Sequence, residues 1–174
     1  MQNGILIKRH KDMMNEIELN SCENQATFFE LSVSSFKAGS ALFISTYMYS
    51  IFAKELDNLD DGYNFISPHN LINLMKDEYI VLSKKKGNKY PKEVMRWIGY
   101  IYRAYVILKH RNSSFIYKEI NAEKMLELYE SYHTFDVNYC VDRLEELISE
   151  KKPVLSDYEV FKRIRLENSS RKHS

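Results

Sequence analysis

The chain has 174 residues, of which 44% are hydrophobic and 28% are charged, a composition that excludes wholesale disorder and suits one domain. Its 25 basic and 24 acidic residues leave a net charge of +1, so no overall field attracts a polyanion. Because only 5 Gly and 3 Pro interrupt the chain, long helices are favoured over a fold with many turns.

The two ends of the chain carry weak structural signals. Residues 1–20 have no clear period, and Ile5–Ile7 predicts a short strand or loose arm that is too short for a signal peptide. The longest uncharged run, Ala38–Ala53, has 16 residues, whereas roughly 20 are needed to span a bilayer. We therefore expect a cytoplasmic protein with one helical domain over residues 21–167 and a disordered tail over 168–174.

Helical patterns begin at about Asn24. Apolar residues recur at helical spacing as far as Phe52, and Gly39 either divides this stretch into two helices or bends one helix. Ser67–Pro68 then starts a helix, because Ser caps free amides and Pro fits the first turn. Gly87, which follows three lysines, is expected to end this helix in the left-handed conformation.

The second half of the chain continues the helical pattern. Pro91 starts a strongly apolar helix that runs to about Asn112, and Asn121 caps another. A turn around 132–136 precedes a helix that Pro153 closes, and a last helix follows it. About six or seven helices joined by short links predict an all-α fold that forms a single compact domain.

The residue types that hold metals or activate nucleophiles are dispersed along the chain. No His lies three or four residues from another His or Cys on a helix, and one Gly after lysines does not make a phosphate loop. Cys140 lies at an apolar helical position, and Cys22, which could be exposed, has no neighbour that would activate it. We therefore predict no catalytic residue, no metal and no cofactor. The five histidines are His10, His69, His110, His133 and His173.

One face of the helix over 91–111 combines Arg and Tyr at helical spacing, on the side away from the apolar stripe. Such residues are enriched in protein interfaces, because each offers apolar area and a polar tip. Two alternatives stay open, namely a partner-binding surface and a central helix with both faces buried inside the domain. The predicted partner-binding residues, which include two from the turn at 132–136, are Arg96, Tyr100, Arg103, Tyr132 and His133.

Two other patterns favour nucleic acid. The lysines between 84 and 92 predict either a nucleic-acid-binding regulator or a solvated helix end, since aromatic interleaving is thin. Arg103 and His110 lie seven residues apart and are similar to the Arg and His of HEPN-class helical ribonucleases. This likeness implies an RNA-cleaving toxin as a further alternative. The sequence departs from that pattern at Ala104 and Asn112, where a polar residue and a Tyr are usual.

Several segments resemble a family of small helical bacterial proteins of uncharacterised biochemical role. They are SPHNLINLMKDEY at 67–79, YPKEVMRWIGYIYR at 90–103, YHTFD at 132–136 and DRL at 142–144, with WIGYIYR the most distinctive. This family is associated with short operons of toxin–antitoxin type. The resemblance implies an antitoxin or accessory subunit that sterically neutralises a protein encoded in the same operon, such as an ADP-ribosyltransferase-like toxin, and it supplies no catalytic residues.

Overall fold

The computed structural model describes residues 13–58 and 66–151, and within these ranges it holds nine α-helices and no strand. The predicted all-α fold is thereby confirmed. Six of these helices have nine or more residues, and three are shorter. The helices are α1 (Glu16–Ser35), α2 (Ser40–Met48), α3 (Ile51–Asp57), α4 (Pro68–Glu78), α5 (Val81–Lys84), α6 (Lys92–Lys109), α7 (Ser113–Glu119), α8 (Ala122–Tyr132) and α9 (Val137–Lys151).

Side-chain caps define where most of these helices begin. Ser67 and Asn121 accept the capping hydrogen bonds predicted for them. Asn15 and Glu18 form a reciprocal capping box, with Glu18 accepting from the Asn15 amide at 2.7 Å. This box was overlooked in the sequence, and it makes part of the predicted N-terminal arm helical from Glu16 onward.

The chain packs as two units. Of the described residues, those up to Leu144 belong to one compact unit, and those from Glu145 belong to a second. The structure describes the second unit only through Lys151, at the end of α9. The predicted domain limit at 167, the helix beyond Pro153 and the tail over 168–174 lie outside the described residues.

Two glycine-bearing segments cross at very short range. A Cβ on Gly87 would lie 2.8 Å from the Gly39 Cα, and one on Gly39 would lie 2.8 Å from the Asn88 carbonyl oxygen. No described glycine has a positive φ angle. The left-handed helix cap predicted for Gly87 is therefore wrong. The residue is needed instead because two backbones touch where a side chain would not fit.

In the first unit, the most extensive packing between two helices joins α1 and α6. The aromatic core of this unit lies between α1 and α2, where rings pack at centroid distances of 5.0–6.5 Å in tilted, edge and stacked arrangements. The four rings are Phe28, Phe29, Phe43 and Tyr47. Among the described residues, no helix is both long and apolar enough to cross a membrane.

Ser21 on α1 is buried, and its Oγ has no hydrogen-bond partner among the described residues. We expect Ser21→Ala to raise the free energy of unfolding by about 0.5–1.5 kcal/mol, because it removes an unsatisfied hydroxyl and favours the helix. Urea denaturation of the whole chain measures this change. Ser34→Ala is the control on the same helix, since the exposed Ser34 hydroxyl already bonds the Leu31 carbonyl. A loss of stability in Ser21→Ala would mean that an internal water satisfies the hydroxyl.

Candidate functional site

The two halves of α6 have different surroundings. From Ile101 to Ile107 every residue is buried, whereas Arg96, Trp97 and Tyr100 are partly exposed. Of the two alternatives left open for this helix, burial on both faces holds for its second half. A surface role is left only to the first half.

Arg103 is the largest fully buried side chain of the described residues. Its Nη1 donates to Asp57 Oδ1 at 2.8 Å, and its Nη2 donates to Ser113 Oγ at 3.3 Å. Asp57 also accepts from the Ser113 amide at 2.6 Å and from the Ser113 hydroxyl at 2.7 Å. The guanidinium and the carboxylate thus neutralise each other inside the protein and tie α3 to α6 and α7.

Gln25 on α1 completes this polar cluster. Its Oε1 accepts from Arg103 Nε at 3.0 Å and from the Tyr47 hydroxyl at 3.1 Å. Its Nε2 donates to the Gly99 carbonyl at 2.9 Å. Burial raises the pKa of Tyr47, so the phenol remains a hydrogen-bond donor at neutral pH. The polar groups are therefore satisfied within the fold, and the cluster joins five helices.

The assignment of Arg103 as a partner-binding residue is therefore corrected. A side chain with no exposed surface, bonded on three sides, has a structural role here. The ribonuclease alternative is affected as well. Arg103 and His110 line one cavity, but only His110 is exposed. The Arg103 guanidinium is not free to contact an RNA phosphate in this conformation.

Three of the predicted partner-binding residues do come together. Arg96, Tyr100 and His133 line one open groove of about 360 Å³, formed by α6, α8 and the turn that leads to α9. Three of the six other residues of this groove are aromatic. The six are Glu93, Trp97, Ile101, Tyr129, Phe135 and Val137. We call this surface the aromatic groove.

The rings of the aromatic groove are held by one another. Trp97 meets Tyr129 edge to face with centroids 5.6 Å apart, and the His133 ring stacks on Tyr129 at 4.5 Å. His133 Nδ1 lies 2.8 Å from the Tyr129 carbonyl oxygen, which fixes the imidazole. Phe135 is 50% exposed. Rigid aromatic side chains that reach solvent are the groups on which protein interfaces most depend.

Charge at one edge of the groove differs from the sequence expectation. Arg96 does not project freely, because it forms ion pairs with Glu23 and, at 3.3 Å, with Glu30. Its Nη1 also donates to Thr27 Oγ1 at 3.2 Å. Two carboxylates bind one guanidinium and Glu93 also lines the groove, so three carboxylates and one guanidinium leave this edge acidic. Arg96 therefore contributes to an acidic rim and is not a lone cationic anchor.

Tyr132 lies outside the lining of the aromatic groove. It is half-buried, its ring centroid lies 6.5 Å from that of Phe135, and its carbonyl accepts from Cys140 Sγ at 3.3 Å.

Trp97, Tyr129 and Phe135 were missed as surface residues, since helical periodicity places the first two on the apolar faces of their helices. Phe135 had a usable signal, because an aromatic residue in a turn does not serve as a helix cap.

The remaining candidate groups have structural surroundings. Lys84, Lys85 and Lys86 are exposed, whereas Lys89 Nζ donates to the Phe36 carbonyl at 2.8 Å. Cys22, expected to be potentially exposed, is buried, and burial raises the pKa of its thiol to about 12, so no thiolate forms near neutral pH. In the part of the chain that the structure describes, no group of three His, Cys, Asp or Glu side chains could hold a metal ion.

Comparison of the chain with protein-family models, with curated proteins and with solved structures finds no match. The resemblance to proteins of toxin–antitoxin-type operons therefore stays a prediction.

Proposed function

We propose that this chain is a protein-binding subunit and that the aromatic groove is its contact surface. The observation that carries the proposal is the convergence of Trp97, Tyr100, Tyr129, His133 and Phe135 on one open cavity. These side chains come from three segments of the chain, so their convergence is a property of the fold. Aromatic side chains are enriched in protein interfaces and supply much of their binding energy.

The partner is expected to present a basic and apolar segment. The acidic rim of Glu23, Glu30 and Glu93 attracts cationic side chains, while the aromatic faces accept Arg or Lys through cation–π contacts. Burial raises the pKa of Tyr100, so its hydroxyl stays protonated and can donate a hydrogen bond to the partner.

The resemblance in sequence supplies a narrower form of this proposal. In that form the chain is an antitoxin or accessory subunit, and it neutralises a protein encoded in the same operon by covering a functional surface of it. The ADP-ribosyltransferase-like toxin remains the named example of such a partner. Neither the operon nor the toxin is needed for the groove to bind a basic and apolar segment.

The test compares capture by the full chain with capture by two surface variants. Phe135→Ser removes a half-exposed ring from the groove, and we expect it to weaken the complex at least tenfold, because aromatic hot-spot residues contribute about 2 kcal/mol or more. Tagged chains are used to purify partners from the native host, followed by mass spectrometry and by calorimetric titration of the purified partner.

Ile80→Ser is the matched control, because Ile80 is equally apolar, 59% exposed and outside the groove. It is expected to bind the partner as the unchanged chain does. Both variants should keep the helical circular dichroism of the parent. A stoichiometric partner that binds Phe135→Ser with unchanged affinity, or one whose contact segment is acidic, would contradict the proposal.

A further inference from the structure

A second cavity lies at the other end of α6 and shares no lining residue with the aromatic groove. It measures about 580 Å³, within the range of small-molecule sites, which is about 300–1,000 Å³. Arg103 and Asp57 line it together with His110 and Arg111. Its apolar wall consists of Leu56, Val106, Ile107 and Phe115.

The charged side chains that line this cavity differ in the bonds they form with the rest of the chain. Asp57 is bound by Arg103 and Ser113, and Glu18 is held at the Asn15 amide. Within the described ranges, in contrast, neither His110 nor Arg111 forms an ion pair. Asp57 is thus neutralised by Arg103, whereas Glu18 keeps its negative charge and Arg111 brings a positive charge to the same cavity.

The two residues at the mouth of the cavity have fixed positions. His110 ends α6 with φ 50° and ψ 47°, and it is the only non-glycine residue with positive φ among those the structure describes. Glycine is usual at this left-handed position, because other residues are strained there. Arg111 places its guanidinium carbon 5.2 Å from the Phe115 ring centroid, which orients its N–H groups. His110 and Arg111 follow one another at this helix end, and both are exposed where they line the cavity.

We propose that this cavity binds the phosphate group of a small organic phosphate. Arg111 and His110 contact the phosphate oxygens, because a guanidinium and an imidazole donate to oxyanions. The organic part of the ligand lies against Phe115 and Ile107. Arg103 stays bound to Asp57 and positions the cavity floor without touching the ligand. This site is independent of the aromatic groove and of protein binding.

The experiment is a nuclear magnetic resonance titration of the labelled full chain with adenosine monophosphate, inorganic phosphate and adenosine. We expect saturable binding of adenosine monophosphate with shifts at His110 and Arg111, weaker binding of inorganic phosphate and none of adenosine. Arg111→Gln should weaken adenosine monophosphate binding about tenfold, since it removes a charge-assisted contact. Lys85→Gln, which removes the same charge at an exposed site outside the cavity, should leave binding unchanged.

The His110→Gly variant distinguishes a role of His110 in ligand binding from a role in ending α6. Glycine relieves the left-handed strain, so this variant should be at least as stable as the parent. If His110 contacts the phosphate, the more stable variant should still bind adenosine monophosphate several-fold more weakly. The proposal would be overturned if His110→Gly and Arg111→Gln both bound adenosine monophosphate as tightly as the parent, if no saturable binding occurred, or if adenosine bound equally well. Binding of a short RNA strand without binding of the mononucleotide would overturn the assignment to a small ligand.

Discussion

Replacing Asp57 with Asn is expected to lower the free energy of unfolding by about 3–5 kcal/mol, because it leaves the guanidinium of Arg103 buried without a counter-charge. The Asn side chain would also direct N–H groups at Ser113, whose amide and hydroxyl both donate to Asp57. Urea denaturation followed by circular dichroism measures the loss.

Asp142→Asn is the matched control. Asp142 pairs with Lys109 at 2.6 Å, but its side chain is 65% exposed, so we expect a change of about 1 kcal/mol or less. Arg103→Met combined with Asp57→Asn should be more stable than the sum of the two single changes predicts, since the uncompensated charge is gone. A loss in Asp57→Asn no larger than that in Asp142→Asn would mean that the buried pair is dispensable.

Gly99→Ala is expected to lower the free energy of unfolding by about 2 kcal/mol. The new Cβ would lie 2.8 Å from the Gln25 carbonyl oxygen and 2.8 Å from Phe29 Cγ, so α1 and α6 would have to separate. Separation would also lengthen the hydrogen bond from Gln25 Nε2 to the Gly99 carbonyl. The effect would therefore reach the Arg103 cluster, and differential scanning calorimetry would record it as a lower Tm.

The informative result is whether Gly99→Ala lowers or raises the free energy of unfolding. In a helix without close neighbours, Ala in place of Gly stabilises by about 1 kcal/mol. Gly99 lies inside α6, so a stabilised Gly99→Ala variant would contradict the close approach of the two helices. A loss of stability supports the view that Gly99 is present for packing.

Local signals in the sequence were sufficient for the all-α fold and for several helix starts. Ser67 and Asn121 cap helices because the capping bond joins residues three positions apart, which any reader of the sequence can see. The two helix boundaries around Gly39 and Tyr49 were only partly predicted by the sequence. The sequence predicted either one bend or two helices, whereas the stretch forms α1, α2 and α3.

Part of the aromatic groove was predicted from the sequence. Arg96, Tyr100 and His133 were predicted as a set, and they line one cavity. Trp97 lies at an apolar-stripe position of its helix, and such a stripe does not distinguish a buried face from a groove. The ion pairs that occupy Arg96 reach back to Glu23 and Glu30, 73 and 66 residues earlier, beyond any local pattern.

The sequence by itself determined that this chain is helical and where several of its helices begin, since periodicity and caps act within a few residues. Only the tertiary structure decided which polar residues are inside. Arg103 looked like a surface residue until α3 brought Asp57, 46 positions earlier in the chain, to within 2.8 Å. A charged side chain can be buried only when the fold places an oppositely charged partner next to it. Pairing between distant segments depends on packing rather than on local spacing.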